Sequence, residues 1–106
     1  MDGRILRTLA TIRRDGARCL RVSELAARVG LSRSRFEHLF KQQTGETLKS
    51  RLRRLRLDRA KSLLADYRLS IKEVGVQCGY SSGAHFTRDF KRSSQISPSQ
   101  YRHRTF

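Results

Sequence analysis

Cysteine is nearly lacking, and the pattern suits neither a disulfide framework nor a metal site. Cys19 and Cys78 are the two cysteines among 106 residues, and they form no C-x-x-C pair or Cys/His ligand spacing. His38, His85 and His103 are too scattered for a zinc cluster. We therefore expect no metal, no cofactor and a reducing cytoplasm. Cys78 is predicted to pack as a small core residue, whereas Cys19 lies in a predicted loop.

Long hydrophobic runs are lacking too. No uninterrupted apolar stretch approaches the roughly 18 residues that a membrane span needs, and no segment has the pattern of a secretory leader. Serine and histidine are present, but no nucleophile motif or glycine-rich phosphate loop accompanies them. The sequence therefore predicts a soluble, cytoplasmic protein that is not an enzyme. A catalytic part of a DNA-repair protein, the remaining enzymatic alternative, would have to lie outside these residues.

Acidic residues are scarce, which gives the chain a strong positive charge. Nine Asp and Glu stand against 24 Lys and Arg, a formal net charge of +15. The excess is spread evenly over both halves, so the body of the protein is basic and there is no basic tail. Such a field favours a polyanion, most commonly nucleic acid, over an anionic membrane or an acidic protein.

Proline is limited to Pro98, which follows Ser97 in an arrangement typical of a helix start. Elsewhere apolar residues recur at helical spacing and no segment favours a strand, so the predicted fold class is all-α. Ser32 is expected to cap one helix, and Ser70 with Glu73 to form a capping box. The predicted helices lie at about residues 2–14, 22–29, 33–44, 47–65 and 71–78, then around Phe86 and Phe90, and from Pro98 onwards.

We expect one domain over residues 1–106, made of a first unit at about 4–46, a connecting helix at about 47–65 and a second unit at about 70–104. The connecting helix should carry one buried stripe from Leu48 to Leu64, with Leu57 off that stripe and touching a flanking unit. Its arginine-rich run at 51–59 is interpreted as a solvated face, and Arg56 is expected to pair with an acidic group.

An internal repeat is the strongest signal. The segments VSELAARVG and IKEVGVQCG align so that Glu24 matches Glu73 and Gly30 matches Gly79. After one inserted residue in the second turn, the alignment pairs three further residues, Phe36, Phe40 and Lys41, with Phe86, Phe90 and Lys91. Two short helices joined by a turn containing glycine are typical of a helix-turn-helix. A repeated match is far less likely to arise by chance than a single one.

The repeat also predicts which side chains face outward. If each phenylalanine pair marks the buried side, helical geometry of about 100° per residue places other positions opposite it. Recognition helices present such positions to base edges. The alternative is that these outward side chains contact only solvent. The outward positions are Ser34, His38 and Lys41, with Glu37 on the flank, in the first unit, and Ala84, Arg88 and Lys91, with Thr87 on the flank, in the second.

These features resemble the DNA-binding domain of the arabinose-regulator (AraC/XylS) family of bacterial transcription regulators. The family's second-unit signature is a Gly-aromatic turn followed by S-x-x-x-F-x-R-x-F-K and P-x-x-Y-R, and its connecting helix carries R-x-x-x-A-x-x-L-L. The resemblance covers about residues 4 to 104. The matching residues are Gly79-Tyr80, Ser82, Phe86, Arg88, Phe90-Lys91, Pro98, Tyr101 and Arg102, and then Arg56, Ala60, Leu63 and Leu64 on the connecting helix.

The resemblance implies seven helices, with two helix-turn-helix units bridged by the long helix. It also implies binding to promoter DNA and, usually, activation of transcription through RNA polymerase. A small-molecule effector is expected only if a further domain exists. Carried over by position, the base-contacting residues are Ser34, Glu37 and His38 in the first unit and Ala84, Thr87 and Arg88 in the second.

Arg88 is the best candidate for direct readout, because a guanidinium can donate two hydrogen bonds to guanine O6 and N7. Its alternative role is to contact phosphate. Glu37 can accept from cytosine N4 or lie against Arg33 or Lys41. Phosphate contacts, which position a protein without reading sequence, are expected from Ser32, Lys41, Ser82, Lys91 and Arg92.

Some residues depart from the family pattern. Arg21 stands where an N-cap Ser or Thr is usual, and Gln95 stands where the second recognition helix is usually followed by glycine. A left-handed Gln95 would cost about 1 kcal/mol. Asp89 occupies the position at which Leu39 packs in the first unit, so it should pair with a nearby arginine or lie at the core edge.

Two readings of the function remain open at this point. The first is a sequence-specific regulator that binds double-stranded DNA, with two recognition helices entering successive major grooves about 34 Å apart. The second is a nonspecific polyanion-binding module for RNA or the nucleoid, which the charge alone would suit. Within the first reading, the chain is either a complete small regulator, which Met1 slightly favours, or a domain of a larger protein.

Overall fold

The computed structural model describes residues 1–15 and 20–106 and contains seven helices in that part of the chain. No strand occurs among these residues, and the all-α, seven-helix prediction is confirmed. The predicted loop position of Cys19 lies outside the described residues. The helices are α1 (Gly3–Asp15), α2 (Val22–Arg28), α3 (Arg33–Thr44), α4 (Leu48–Leu63), α5 (Ile71–Gln77), α6 (Gly83–Ser94) and α7 (Pro98–Thr105).

The helices form two compact units, Met1–Leu55 and Arg56–Phe106. Each unit has its own hydrophobic core, built around one pair of phenylalanines that are fully buried. The first core contains Ile5, Ile12, Leu25, Phe36, Phe40, Leu48 and Leu52. The second contains Leu57, Ala60, Leu64, Val74, Cys78, Tyr80, Phe86 and Phe90. The predicted core position of Cys78 is therefore confirmed.

Helix α4 contributes to both cores rather than presenting one continuous buried stripe. Leu48 and Leu52 pack in the first core, whereas Leu57 and Leu64 pack in the second. Leu57 was expected to lie off the stripe and touch a flanking unit, and its 4% exposure within the second core confirms that contact. The boundary between the two units falls inside α4, between Leu55 and Arg56.

Serine caps begin most of the helices as the sequence predicts. The Ser32 hydroxyl accepts a hydrogen bond from the Arg35 N–H, and Ser70 forms a capping box with Glu73. Ser97 forms a second capping box with Gln100, and Pro98 opens α7. At α2, Arg21 makes no side-chain cap, so this helix start lacks the bond that a serine or threonine would supply.

Arg102 closes the end of α4, a role that the sequence did not reveal. Its Nε donates to the Leu64 carbonyl at 2.8 Å and its Nη2 donates to the Asp66 carbonyl at 3.1 Å. The guanidinium also lies 5.0 Å from the ring centre of Tyr67. The Leu64 carbonyl directly follows α4 and, like the last carbonyls of any helix, has no partner within the helix. A cation there also complements the helix dipole. Asp66 lies beyond the helix, and its carbonyl also accepts the Leu69 N–H.

Replacing Arg102 by methionine should lower the free energy of unfolding by about 1.5 kcal/mol, because two carbonyls lose a charged donor while most of the apolar stem is kept. Urea denaturation followed by far-UV circular dichroism measures the change. Arg104→Met, at an exposed position of the same helix, is the matched control and should be near neutral. Equal effects of the two variants would show that the carbonyl contacts do not stabilise the unit.

Both recognition-type helices end on a left-handed residue. Gly45 has a φ of 84° at the end of α3, and Gln95 has a φ of 70° at the end of α6. Gln95 therefore adopts the left-handed conformation whose cost was considered from the sequence. Glycine adopts this conformation without a penalty, whereas a residue with a Cβ pays about 1 kcal/mol or more.

We expect Gln95→Gly to raise the free energy of unfolding by about 1 kcal/mol, since it removes this strain. The reciprocal variant, Gly45→Gln, should lower it by a similar amount. Nothing lies within 4 Å of a Cβ at Gly45, so the cost there reflects the backbone alone. Thermal and urea unfolding of both variants provide the measurement, and opposite signs are required.

Candidate nucleic-acid interface

Helix α3 presents a polar ridge on the side away from the first core. Phe36 and Phe40 are both 0% exposed, which fixes the rotation of the helix. Ser34, His38 and Lys41 are exposed, and Glu37 is half-buried on the flank. The predicted outward facing of these side chains is confirmed, and their contacts with bases stay a prediction.

Two grooves run along the flanks of α3, and the Ser34 and His38 side chains line both of them. These two residues therefore form the ridge between the grooves. The groove on one flank, here the α1-side groove, is also lined by Arg4, Leu31, Arg35, Leu39 and Gln42. The groove on the other flank, here the α4-side groove, is also lined by Arg33, Glu37, Lys41, Thr47, Leu48 and Lys49.

Glu37 pairs with a basic neighbour on its own helix. Its Oε1 lies 3.1 Å from Arg33 Nε, one turn earlier. Of the roles that the sequence left open, the structure therefore shows the contact with Arg33. The Arg33 side chain is 66% exposed and the Glu37 side chain 45% exposed, so water screens the pair and it contributes little to stability. It does hold the carboxylate on the flank, next to the ridge formed by Ser34 and His38.

Helix α6 has the same design around Phe86 and Phe90, both 0% exposed. Ala84, Arg88 and Lys91 are exposed, as their repeat partners in α3 are. Thr87 is half-buried on the flank. In the described part of the chain, no ion pair ties Arg88 to an acidic side chain, so its guanidinium remains available to a ligand.

Asp89 lies at the edge of the second core, which is one of the two placements expected for it. Its side chain is 15% exposed, and its Oδ2 accepts a hydrogen bond from the Tyr80 hydroxyl at 3.2 Å. His85 Nε2 lies 3.7 Å from the same oxygen. Burial, followed by the negative charge of Asp89, raises the pKa of Tyr80 well above its usual value. The alternative pairing of Asp89 with an arginine is not what the structure shows.

The prediction that Arg56 pairs with an acidic group is wrong. Its Nε is buried without a hydrogen-bond partner, and no acidic side chain of the described ranges, 1–15 and 20–106, forms an ion pair with it. Arg56 nevertheless lies near enough to Tyr80 to oppose the rise of that pKa. The sequence pattern gave the residue type at this position but could not identify its neighbours.

The arginine-rich run at 51–59 was interpreted as a solvated face, but two of its arginines make specific contacts. Arg51 and Arg54 both form ion pairs with Glu46, the latter at 2.9 Å. The Arg54 hydrogen bond is the main cause of a lowered pKa for Glu46. Arg51 also lies over the Phe40 ring at 5.9 Å from its centre. These arginines therefore join the start of α4 to the segment that follows α3.

The residues predicted to contact phosphate lie at the two ends of α3 and α6. Ser32 and Ser82 accept N–H bonds of 3.3 Å and 3.1 Å from Arg35 and His85. A serine that accepts such a bond retains its own O–H donor. Lys41, Lys91 and Arg92 are exposed in the last turns of the two helices.

Neither a candidate metal site nor a helix that could span a membrane occurs among the described residues. No group of three or more His, Cys, Asp and Glu side chains in them is placed to hold a metal ion. None of the helices described is long and apolar enough to cross a membrane.

Comparison with known proteins places this geometry in a family. The sequence model described as "Helix-turn-helix domain" matches residues 25–104. A crystal structure of a transcriptional regulator from Chromobacterium violaceum with an AraC-type DNA-binding domain superposes with a TM-score of 0.78 at 32% identity, covering 94% of this chain and 89% of that one. The chain belongs to the AraC-type helix-turn-helix family. This is a family of DNA-binding transcription regulators, as the resemblance implied.

Two further transcription regulators are similar over nearly the whole of this chain. The DNA-binding domain of AdpA, solved in complex with a target DNA, has a TM-score of 0.83 at 28% identity and covers 96% of this chain and 92% of that one. The xylose operon regulatory protein of Escherichia coli (strain K12) is 34% identical over 101 residues, 95% of this chain. The alignment spans 26% of that relative, so this chain corresponds to about a quarter of its length.

Some residues that line the candidate interface were not predicted from the sequence. Arg4, Arg35 and Lys49 line the grooves beside α3 but lie outside the positions that the phenylalanine spacing selects. Arg35 could have been found from the repeat, because it aligns with His85, another basic residue in the first turn of its helix. Lys49 had no such signal, since its partner in the second unit is Ser99.

Proposed function

We propose that this AraC-type chain binds double-stranded promoter DNA in a sequence-specific manner and thereby regulates transcription. Each unit places one recognition helix, α3 or α6, in a major groove. The observation that carries the proposal is the duplicated helix-turn-helix in which a buried phenylalanine pair turns a polar ridge outward, in a protein of net charge +15. The DNA complex of the AdpA domain supports it, because that domain has the same fold.

In the second unit, Arg88 is the proposed reader of guanine, through two hydrogen bonds to O6 and N7. Thr87 and Ala84 flank it and offer methyl groups, which suit contact with thymine. In the first unit, His38 and Ser34 form the ridge and donate hydrogen bonds to base edges. Glu37 can accept from cytosine N4 once its exposed pair with Arg33 opens.

Phosphate contacts complete the proposed interface. Lys41, Lys91 and Arg92 are exposed cations, and Ser32 and Ser82 each keep an O–H donor at a helix start. Such contacts set the register of a protein on the duplex without reading its sequence. Activation through contact with RNA polymerase belongs to the same proposal, and an effector would require a further domain.

Selection of bound sites from random duplexes tests the proposal. We expect a preferred sequence with two half-sites separated by about one turn, 10 to 10.5 base pairs. Competition at physiological salt should then show that the selected duplex is bound at least about 1,000-fold more tightly than scrambled DNA. Binding that shows no preferred site and is lost steeply with salt would contradict the proposal and favour a nonspecific polyanion-binding module.

A further inference from the structure

The two grooves beside α3 define where the strands of a bound duplex run. An α-helix with its side chains is about 10 to 12 Å wide, and the major groove of B-DNA is about 12 Å wide. A helix that enters the groove therefore fills it, and one sugar-phosphate strand lies along each flank. In the first unit, the flanks of α3 are the α1-side and α4-side grooves, with Ser34 and His38 on the ridge between them.

Each groove is lined by more basic side chains than the nearby acidic side chains can neutralise. In the α1-side groove, Arg4 is paired with Asp2 at 3.0 Å. Arg35 is exposed and forms no ion pair with any residue that the structure describes. In the α4-side groove, Arg33 offsets Glu37. The other basic residues lining this groove are Lys41 and Lys49, and both are exposed.

Lys49 is held at the groove by the start of α4. The Thr47 hydroxyl accepts the Ser50 N–H at 3.1 Å, which caps this helix. Leu48, between Thr47 and Lys49, is 1% exposed in the first core. The backbone that carries Lys49 is therefore anchored on both sides, while its ammonium group is free to meet a phosphate.

We propose that these grooves receive the two strands of one major groove, and that Arg35 and Lys49 contact phosphates on opposite strands. The proposal rests on the proposed function and adds two contacts that fix how the first unit is oriented on DNA. Neither residue lies on the ridge, so neither is expected to read bases.

The test uses the full chain and the duplex selected above. We expect Arg35→Ala and Lys49→Ala each to reduce the slope of log affinity against log salt by about 1. Between 50 and 200 mM salt, each variant should therefore lose about 4-fold less affinity than the parent protein. Arg13→Ala, which removes an exposed charge of the same unit outside both grooves, should leave the slope unchanged.

A scan of neutral methylphosphonates, one phosphate at a time, assigns the strands. Arg35→Ala should become insensitive to neutralisation at a site on one strand, and Lys49→Ala at a site on the other. Sites on the same strand, or an unchanged salt slope for either variant, would overturn this assignment while leaving sequence-specific binding intact. If the parent protein preferred no duplex at all, the proposed function would fail as well.

Discussion

Replacing Phe90 by alanine is expected to lower the free energy of unfolding by about 3 to 5 kcal/mol. The side chain is fully buried, and its ring centre lies 5.8 Å from that of Phe86 and 5.5 Å from that of Tyr101. Truncation therefore removes two edge-to-face aromatic contacts and leaves a cavity. Helices α4 and α7 border this core, so the cavity cannot close without moving residues that several helices hold in place.

Urea denaturation followed by circular dichroism measures the loss, and Phe106→Ala provides the matched control. Phe106 is also near Tyr101, at 6.1 Å between ring centres, but it is 50% exposed. Its truncation should cost only about 1 kcal/mol, because half of the residue's surface already contacts water. Similar costs for the two variants would mean that Phe90 does not support the second core as the structure indicates.

The phenylalanine repeat explains how much of the fold could be predicted from the sequence. Two aromatic residues four positions apart lie on one face of a helix, and such large apolar side chains are rarely left in water. The phenylalanine pairs at 36 and 40 and at 86 and 90 therefore predicted which sides of α3 and α6 face the two cores. The caps at Ser32 and Ser70 followed from local backbone chemistry, which needs no knowledge of distant residues.

Features that depend on contacts between distant segments could not be predicted. Gly75 is an example, because its repeat partner in the first unit is Ala26. A Cβ at Gly75 would lie 2.8 Å from the Phe86 ring, so the approach of α5 to α6 needs glycine there. Arg102 contacts the end of α4 from far along the chain. Neither contact leaves a trace in the local pattern of either segment.

The candidate site shows the same division between local and distant information. Helical spacing alone turned Ser34 and His38 outward, and the structure confirms it. The grooves beside them are built by α1 and by the start of α4, so Arg4 and Lys49 could be assigned only after the helices were assembled. The partners of Asp89 were likewise not readable, since Tyr80 meets it only through the packing of the turn against α6.

Loss of the Arg88 side chain should be the most damaging single change to DNA recognition. We expect Arg88→Ala to weaken binding to the selected duplex by about 1 to 3 kcal/mol, a factor of roughly 5 to 150, and to relax the preference at one base pair. The reason is that one guanidinium satisfies both guanine acceptors in a fixed geometry. Its exposure and lack of an ion pair within the described residues mean that the free protein should fold unchanged.

Lys91→Ala is the control that separates reading of bases from attraction to phosphate. Lys91 is exposed on the same helix, and its loss should weaken selected and scrambled duplexes by the same factor while lowering the salt slope by about 1. Binding of both variants is measured on the selected duplex and on duplexes altered at each guanine in turn. If Arg88→Ala also weakened all duplexes equally, Arg88 would be a phosphate contact, and the specificity of the second unit would have to come from Ala84 and Thr87.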